Sequence, residues 1–334
     1  MESNGARPLS VNCVLSDSAS VVVKDSVMDA RGSTLSGVSV SNNEISGDAA
    51  NLTFENCRLV ANSASPVEFS ARPGYGIFSI GGTLFVERDG KTAPFDFAAL
   101  AERNRPNPSF REAFGGGTAI DYRRLRPTSP DVVVKRATPM CRDKFTFLQY
   151  MPKEGEYTLT FRTRVVGKRT LNCPVQMLDM LGTDLGVFNV TSAVQTVTVK
   201  ATERNLRRFS IDTRGNAMTI SSPYPGQGIL ADRPVGLFSG SCRLYFSVPD
   251  GVKKVFAAVE PEEPAAVSLL DASGKAVATM PRQTSAATLT GERKATGPEI
   301  WSLEVKPVED VKVWLGNSVL PILAQDSTAG LELQ

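Results

Sequence analysis

Phe54-Glu55-Asn56-Cys57-Arg58-Leu59, at the end of the longer run Asn51-Leu52-Thr53-Phe54-Glu55-Asn56-Cys57-Arg58-Leu59, decides the reading of this chain. Its pattern is apolar, any residue, Asn or Asp, small, any residue, apolar. The same pattern stands at Val23-Lys24-Asp25-Ser26-Val27-Met28 and at Val40-Ser41-Asn42-Asn43-Glu44-Ile45, with a degraded copy at Ser10-Val11-Asn12-Cys13-Val14-Leu15. Short strands that each end at an Asn or Asp turn, stacked one above the next, are the sequence form of a parallel β-solenoid. The markers Asn12, Asp25, Asn42 and Asn56 lie 13, 17 and 14 residues apart, and this unevenness keeps a β-sandwich with Asn-ended strands open as the alternative. A further apolar stretch, Gly76 to Ile80 with Thr83 to Val86, follows as another rung.

After Pro94 the pattern changes. Phe95-Asp96-Phe97-Ala98-Ala99-Leu100-Ala101-Glu102-Arg103 predicts a short helix, with Asp96 as its N-cap, Phe95 and Leu100 as a hydrophobic staple, and Pro106 blocking continuation. Such a helix would cover the open edge of the last rung. Gly115-Gly116-Gly117 to Pro130 reads as a linker or extended wrap. From Asp131 short alternating strands dominate: Tyr157, Leu159 and Phe161 share one face, and Asp212-Thr213-Arg214-Gly215-Asn216 reads as a tight turn between Phe209-Ser210-Ile211 and Met218-Thr219-Ile220. The loop Ser222 to Gly228 breaks the periodicity and sets a boundary near Arg233. Six to seven short strands then fill the last hundred residues, among them Arg243 to Val248, Val255 to Val259, Ile300 to Val305 and Val311 to Leu315. The expected architecture is all-β: residues 1–130 as parallel β-helix rungs with a capping helix and linker, 131–232 as a β-sandwich, and 233–334 as a C-terminal β-sandwich of jelly-roll type.

Composition removes several kinds of chemistry. The 334 residues contain no histidine, so neither a Ser-His-Asp nor a Cys-His nucleophile system can be built, and the imidazole ligands of most catalytic zinc sites are missing. Thirty-seven Lys and Arg against 35 Asp and Glu give a net charge of +2, too little field to argue for nucleic acid. The cluster Arg162, Arg164, Lys168 and Arg169 reads as a solvated sheet face rather than an anion site. No stretch approaches the roughly twenty apolar residues of a membrane helix. The start, Met1 to Ala6, has neither a basic nor an apolar signal region, so any export signal is expected to have been removed or to lie outside this sequence. Five widely separated cysteines read as small buried hydrophobes.

Any remaining chemistry must use carboxylates, Tyr, Lys or Arg. Asp121-Tyr122-Arg123-Arg124 and Glu87-Arg88-Asp89 combine acids with cations as a lyase or hydrolase groove does, and make Asp121, Arg123 and Asp89 candidates, although charged turns share the pattern. For sugar binding the better candidates are aromatic rings placed outward. In Val311-Lys312-Val313-Trp314-Leu315 the alternation puts Trp314 beside Lys312 on the face opposite the apolar residues, and Tyr245 likewise alternates away from Leu244 and Phe246. The alternative for both rings is burial against a neighbouring domain; Trp301, in parity with Leu303 and Val305, is expected in the core.

The Asn-ended rungs, Asn51 to Leu59 above all, resemble the right-handed parallel β-helix of pectate-lyase-like proteins. The order of rungs, capping segment and two sandwiches looks like the C-terminal part of large secreted bacterial carbohydrate-active proteins, and the final module, opening on LYFSVPDGVKKVFAAV and closing on IWSLEV, is similar to their jelly-roll or pre-peptidase-type accessory domains. The resemblance implies an extracellular polysaccharide-processing protein of lyase or glycoside hydrolase type, secreted or at the cell surface, in which this chain is mainly scaffold and carbohydrate binding. The alternative is a non-enzymatic adhesion or carbohydrate-binding module. Lyases of this kind often hold calcium through acidic residues; Asp25, Asp29, Asp48 and Glu55 lie in the rungs but match no such motif and read as turn or solvated residues, so no cofactor or metal is assigned. The partner expected is a polysaccharide. The uncovered first rung further suggests a fragment lacking upstream rungs, prone to self-association through its N-terminal solenoid edge.

Overall fold

The computed structural model describes residues 9–13, 20–31, 37–42, 50–63, 65–71, 78–103, 113–114, 120–134, 136–284, 286–306, 309–328 and 330–333. Among the described residues the fold is all-β apart from one α-helix, Phe97–Arg103, and short helical turns. It divides into two compact units, Met1–Gly116 and Gly117–Gln334.

In the first unit the described strands pair in parallel, apart from an antiparallel hairpin between Phe78–Arg88 and Lys91–Pro94. Leu9–Cys13, Val38–Asn42 and Val67–Ala71 form one sheet, in which Leu9 faces Val38 and Val38 faces Val67, a step of 29 residues each time. Ser20–Lys24 and Val27–Ala30 both pair with the long strand Ala50–Ala61, which pairs in turn with Phe78–Arg88. The uneven marker spacing has a simple cause: alternate markers belong to different sheets, so the repeat is the sum of two unequal halves. Asp25 and Asn56 are the stacked pair, 31 residues apart, and the Asn56 side-chain amide donates to Asp25 Oδ1 at 2.8 Å. Both residues take positive φ, 45° and 53°. They therefore form a corner between two paired strand segments rather than the end of a strand, a left-handed position that Asn and Asp tolerate best.

The core of this unit gathers Leu52, Phe54, Cys57, Leu59 and Leu84, with Val23 packed at its margin. The side chains of Asn12, Val40 and Asn42, and the stretch Gly76-Ile77, lie outside the described residues. The next strand, Phe78–Arg88, reaches the corner at Gly82, whose φ is +101°, and a Cβ there would stand 2.0 Å from the Phe54 carbonyl oxygen. The helix forms as its sequence predicts: Asp96 Oδ1 accepts the Ala99 N–H at 2.9 Å, Leu100 is buried, and Phe97 stacks on Phe54 with ring centroids 5.9 Å apart.

The second unit contains a twelve-stranded sheet and a four-stranded sheet, and side chains of both share one core, from Phe147, Phe161 and Phe209 to Phe246, Trp301 and Val313. The boundary expected at 232/233 falls inside this unit. Cys141–Met151 pairs with Val235–Phe238, which pairs with Asp310–Leu315, so one sheet runs across it. The loop that broke the periodicity is a return rather than a linker: Gly226, at φ +70°, packs under the Tyr150 Cβ, and the chain re-enters as Gln227–Leu230 to pair with Thr146–Gln149. Part of the expected linker is also structured, since Leu125–Pro127 pairs with Leu331–Leu333 and Tyr122–Arg124 is a 3₁₀ turn.

Candidate functional site

Asp212-Thr213-Arg214-Gly215-Asn216 does not reverse the chain. Asn205–Ser221 is a single strand of 17 residues, and both flanks of the segment pair with the same neighbour: Asp212 faces Lys144 and Ala217 faces Arg142. Four residues, Thr213 to Asn216, thus stand opposite Asp143 alone. This large bulge is held by left-handed backbone at Arg214 (φ 54°) and Gly215 (φ 75°), and Asp212 Oδ1 accepts the Arg214 N–H at 2.9 Å. The sequence signal was a turn signal because bulges and turns use the same residues; only the pairing partner separates them.

The bulge carries a clamp. Asn216 is fully buried; its Oδ1 accepts the Val166 N–H at 3.3 Å and its amide donates to the Thr170 carbonyl at 3.1 Å, which fixes the loop after the strand Gly155–Arg164. Arg169 on that loop donates to the Val166 carbonyl at 2.9 Å and lies over Gly215, where a Cβ would stand 2.6 Å from its Nε. On the far wall Pro174 faces Asn189 in the hairpin Cys173–Leu178 and Asp184–Val190. Together these elements enclose an open cup of about 500 Å³, lined by Lys168, Arg169 and Arg214 with Thr170, Asn172 and Asn189. No carboxylate lines it. The acid paired with a wall residue is Asp212, 3.6 Å from Arg214 Nε.

This arrangement corrects the reading of the basic cluster as one sheet face. Arg162 and Arg164 do sit on the exposed face of their strand, but the strand ends at Arg164, and Lys168 and Arg169 belong to the clamped loop. Arg164 instead stands 5.4 Å from the Phe238 ring, which Arg142 also approaches at 5.3 Å.

The other candidates are placed as follows. Trp314 occupies the expected face of its strand, away from the core residues Val311, Val313 and Leu315, yet it is only 2% exposed and offers no ring face to solvent. Lys312 is ion-paired with Glu262 at 2.6 Å. Tyr245 is half-buried, and its backbone exchanges two hydrogen bonds of 2.8 Å with Ala324. Trp301 is in the core, its indole N–H donating to Glu299 Oε2 at 2.9 Å.

Asp121 caps the 3₁₀ turn and chelates Arg123 through 2.9 and 3.1 Å hydrogen bonds; the Arg123 guanidinium holds its carboxyl below the ordinary Asp value. Asp89 lies in an exposed turn at φ 52°, with Arg88 at 3.6 Å, and Glu87 pairs with Arg58 at 3.3 Å. These acids each have a local partner, and they belong to different units. Among the described residues no group of three Cys, Asp or Glu side chains is placed to hold a metal. A second cavity of about 320 Å³ lies beside Tyr122 and Tyr150, where Arg208 covers the Tyr122 ring at 4.7 Å.

No protein family and no curated protein matches the sequence. Among solved structures the chain has weak likenesses. One is to a lectin from Pleurotus ostreatus in complex with GalNAc, at 8% identity over 60% of this chain and 84% of the lectin, with a TM-score of 0.18. Another is to the enzymatically active domain of tailspike protein 4 from bacteriophage CBA120, at 9% identity over 97% of this chain and 38% of the tailspike domain, with a TM-score of 0.16.

Proposed function

We propose that this chain is a polysaccharide-binding part of a secreted or cell-surface protein, with Met1–Gly116 a run of parallel β-helix rungs and Gly117–Gln334 the binding module. The observation that carries the reading is the cup beside the Thr213–Asn216 bulge. Its lining of guanidinium, ammonium, amide and hydroxyl groups suits a ligand studded with hydroxyls, and its volume of about 500 Å³ accommodates one or two sugar rings. The parallel pairing at steps of 27 to 31 residues and the stacked Asp25–Asn56 corner support the β-helix half of the proposal. Binding is favoured over cleavage because the sequence-derived acid candidates are engaged in a cap and a turn, each beside its own arginine, whereas glycosidase chemistry needs two carboxyls poised on the scissile bond.

The test is affinity electrophoresis of the whole chain through gels containing neutral or charged polysaccharides. Retardation by at least one of them is expected, with no new reducing or unsaturated ends released on long incubation. Free migration through every gel would sink the binding reading, and released ends would favour the lyase or hydrolase reading in its place.

A further inference from the structure

The cup also specifies which part of a sugar it holds. Resting on the polysaccharide reading above, we infer that Lys168, Arg169 and Arg214 bind a tetrahedral ester group, sulfate or phosphate, carried by a charged glycan.

Three cations of one sign converge on one concavity with no carboxylate in its lining, and two of the three are held before any ligand arrives. Arg169 spends one N–H on the Val166 carbonyl and is seated on Gly215. The Arg214 backbone is fixed by the bulge, and its guanidinium is paired with Asp212 through Nε at 3.6 Å. Each guanidinium carries five N–H donors and the ammonium three, so most donors remain for the ligand. A planar carboxylate is satisfied by one bidentate guanidinium. Three cations from two different segments match an anion with three terminal oxygens pointing in three directions. The left-handed backbone at Arg214 is strained for a residue with a Cβ, and strain of this kind is retained where it aims a side chain. Asn172 and Asn189, on the other side of the cup, remain for the hydroxyls of the sugar ring that bears the ester.

The inference is tested by titrating the full chain calorimetrically with dextran sulfate, plain dextran, polygalacturonate and inorganic sulfate or phosphate. Dextran sulfate is expected to bind most tightly and to weaken as salt rises. Lys168→Ala with Arg214→Ala should weaken it at least about tenfold, since hydrogen bonds to charged groups are worth about 1.5–3 kcal/mol each. Arg162→Ala with Lys200→Ala, which removes the same charge elsewhere on this unit, should leave binding unchanged. Gly215→Ala keeps every charge but displaces Arg169, and should weaken binding as well; unchanged thermal unfolding of the variants shows that the fold is intact.

Equal loss in the control pair would overturn the inference, because bulk charge alone would then explain binding. Equally tight binding of polygalacturonate would overturn the tetrahedral choice. Plain dextran bound as well as its sulfate, with the cup variants unaffected, would overturn the ester site and leave the polysaccharide reading standing. Inorganic sulfate or phosphate bound as tightly as dextran sulfate would overturn the glycan as the source of the anion, and with it the polysaccharide reading at this cup.

Discussion

Asn56 shows how much a single residue can specify. Its left-handed backbone turns the strand Ala50–Ala61, and its amide reaches Asp25 between the two neighbouring strand segments, so one residue serves both the local corner and the strand-to-strand contact. Asn56→Ala removes the hydrogen bond and places a less tolerant residue at positive φ. The expected cost is about 1–2 kcal/mol, read by chemical denaturation, and an unchanged midpoint would mean that the corner is held by pairing alone. Gly82 on the adjacent strand is under a harder constraint: a Cβ would overlap the Phe54 carbonyl, so Gly82→Ala must shift the paired backbones. It is expected to destabilise the first unit more than Asn56→Ala does. The Asn signal was legible because corners select for it; Gly82 was not singled out because glycine marks many turns that have no such contact.

At the scale of elements, strand alternation located faces well but did not say what lies against them. Trp301 and Trp314 have opposite parity, as the sequence indicates, yet both are 2% exposed. Trp301 packs where a Cβ at Gly291 would stand 2.6 Å from its ring, and it shares Glu299 with Arg293, whose Nε donates at 2.8 Å. Replacing either tryptophan by alanine is therefore expected to cost about 3–5 kcal/mol, measured by thermal unfolding of the whole chain. A Trp314→Ala variant as stable as the parent would show that its face is only loosely covered. The same limit applies to the Asp212–Asn216 segment: its residues signal a reversal, and only the neighbouring strand Cys141–Met151, pairing with both flanks, makes it a bulge.

Across the whole molecule, acid is expected to be the sensitive condition. Several Asp carboxyls act as acceptors for turn N–H groups or cations: Asp250 for Gly297 and Gly251, Asp271 for Ser273, Asp184 for Gly186, and Asp29 for Arg31. Their values are lowered, chiefly by the Gly297 N–H at Asp250, the Ser273 hydroxyl at Asp271, the Gly186 N–H at Asp184 and the Arg31 guanidinium at Asp29, the last to about 2. A lowered folded-state value means that the unfolded chain takes up protons first as pH falls. The contribution of these groups is thus full above about pH 4 and is lost toward about pH 2. The expected outcome is a melting temperature that drops across that window, less steeply in salt because the groups are exposed; a flat profile would show that these caps contribute nothing. Burial pushes the Cys141 thiol up, and Cys242 to about 11, so both are expected to react slowly with thiol reagents until the chain unfolds.

The sequence by itself determined the all-β character, the two kinds of strand pattern, the capped helix at Phe97–Arg103 and the core parity of Tyr157, Leu159 and Phe161, because each depends on period and on residues near in the chain. Only the tertiary structure decided the rest. That the markers alternate between two parallel sheets, that residues 131–232 and 233–334 share one sheet, and that Lys168, Arg169 and Arg214 meet in one cup all follow from pairings between strands far apart in sequence. Such pairings are chosen by which faces bury together and which backbone groups find partners, and alternation along one strand carries no information about the identity of its neighbour.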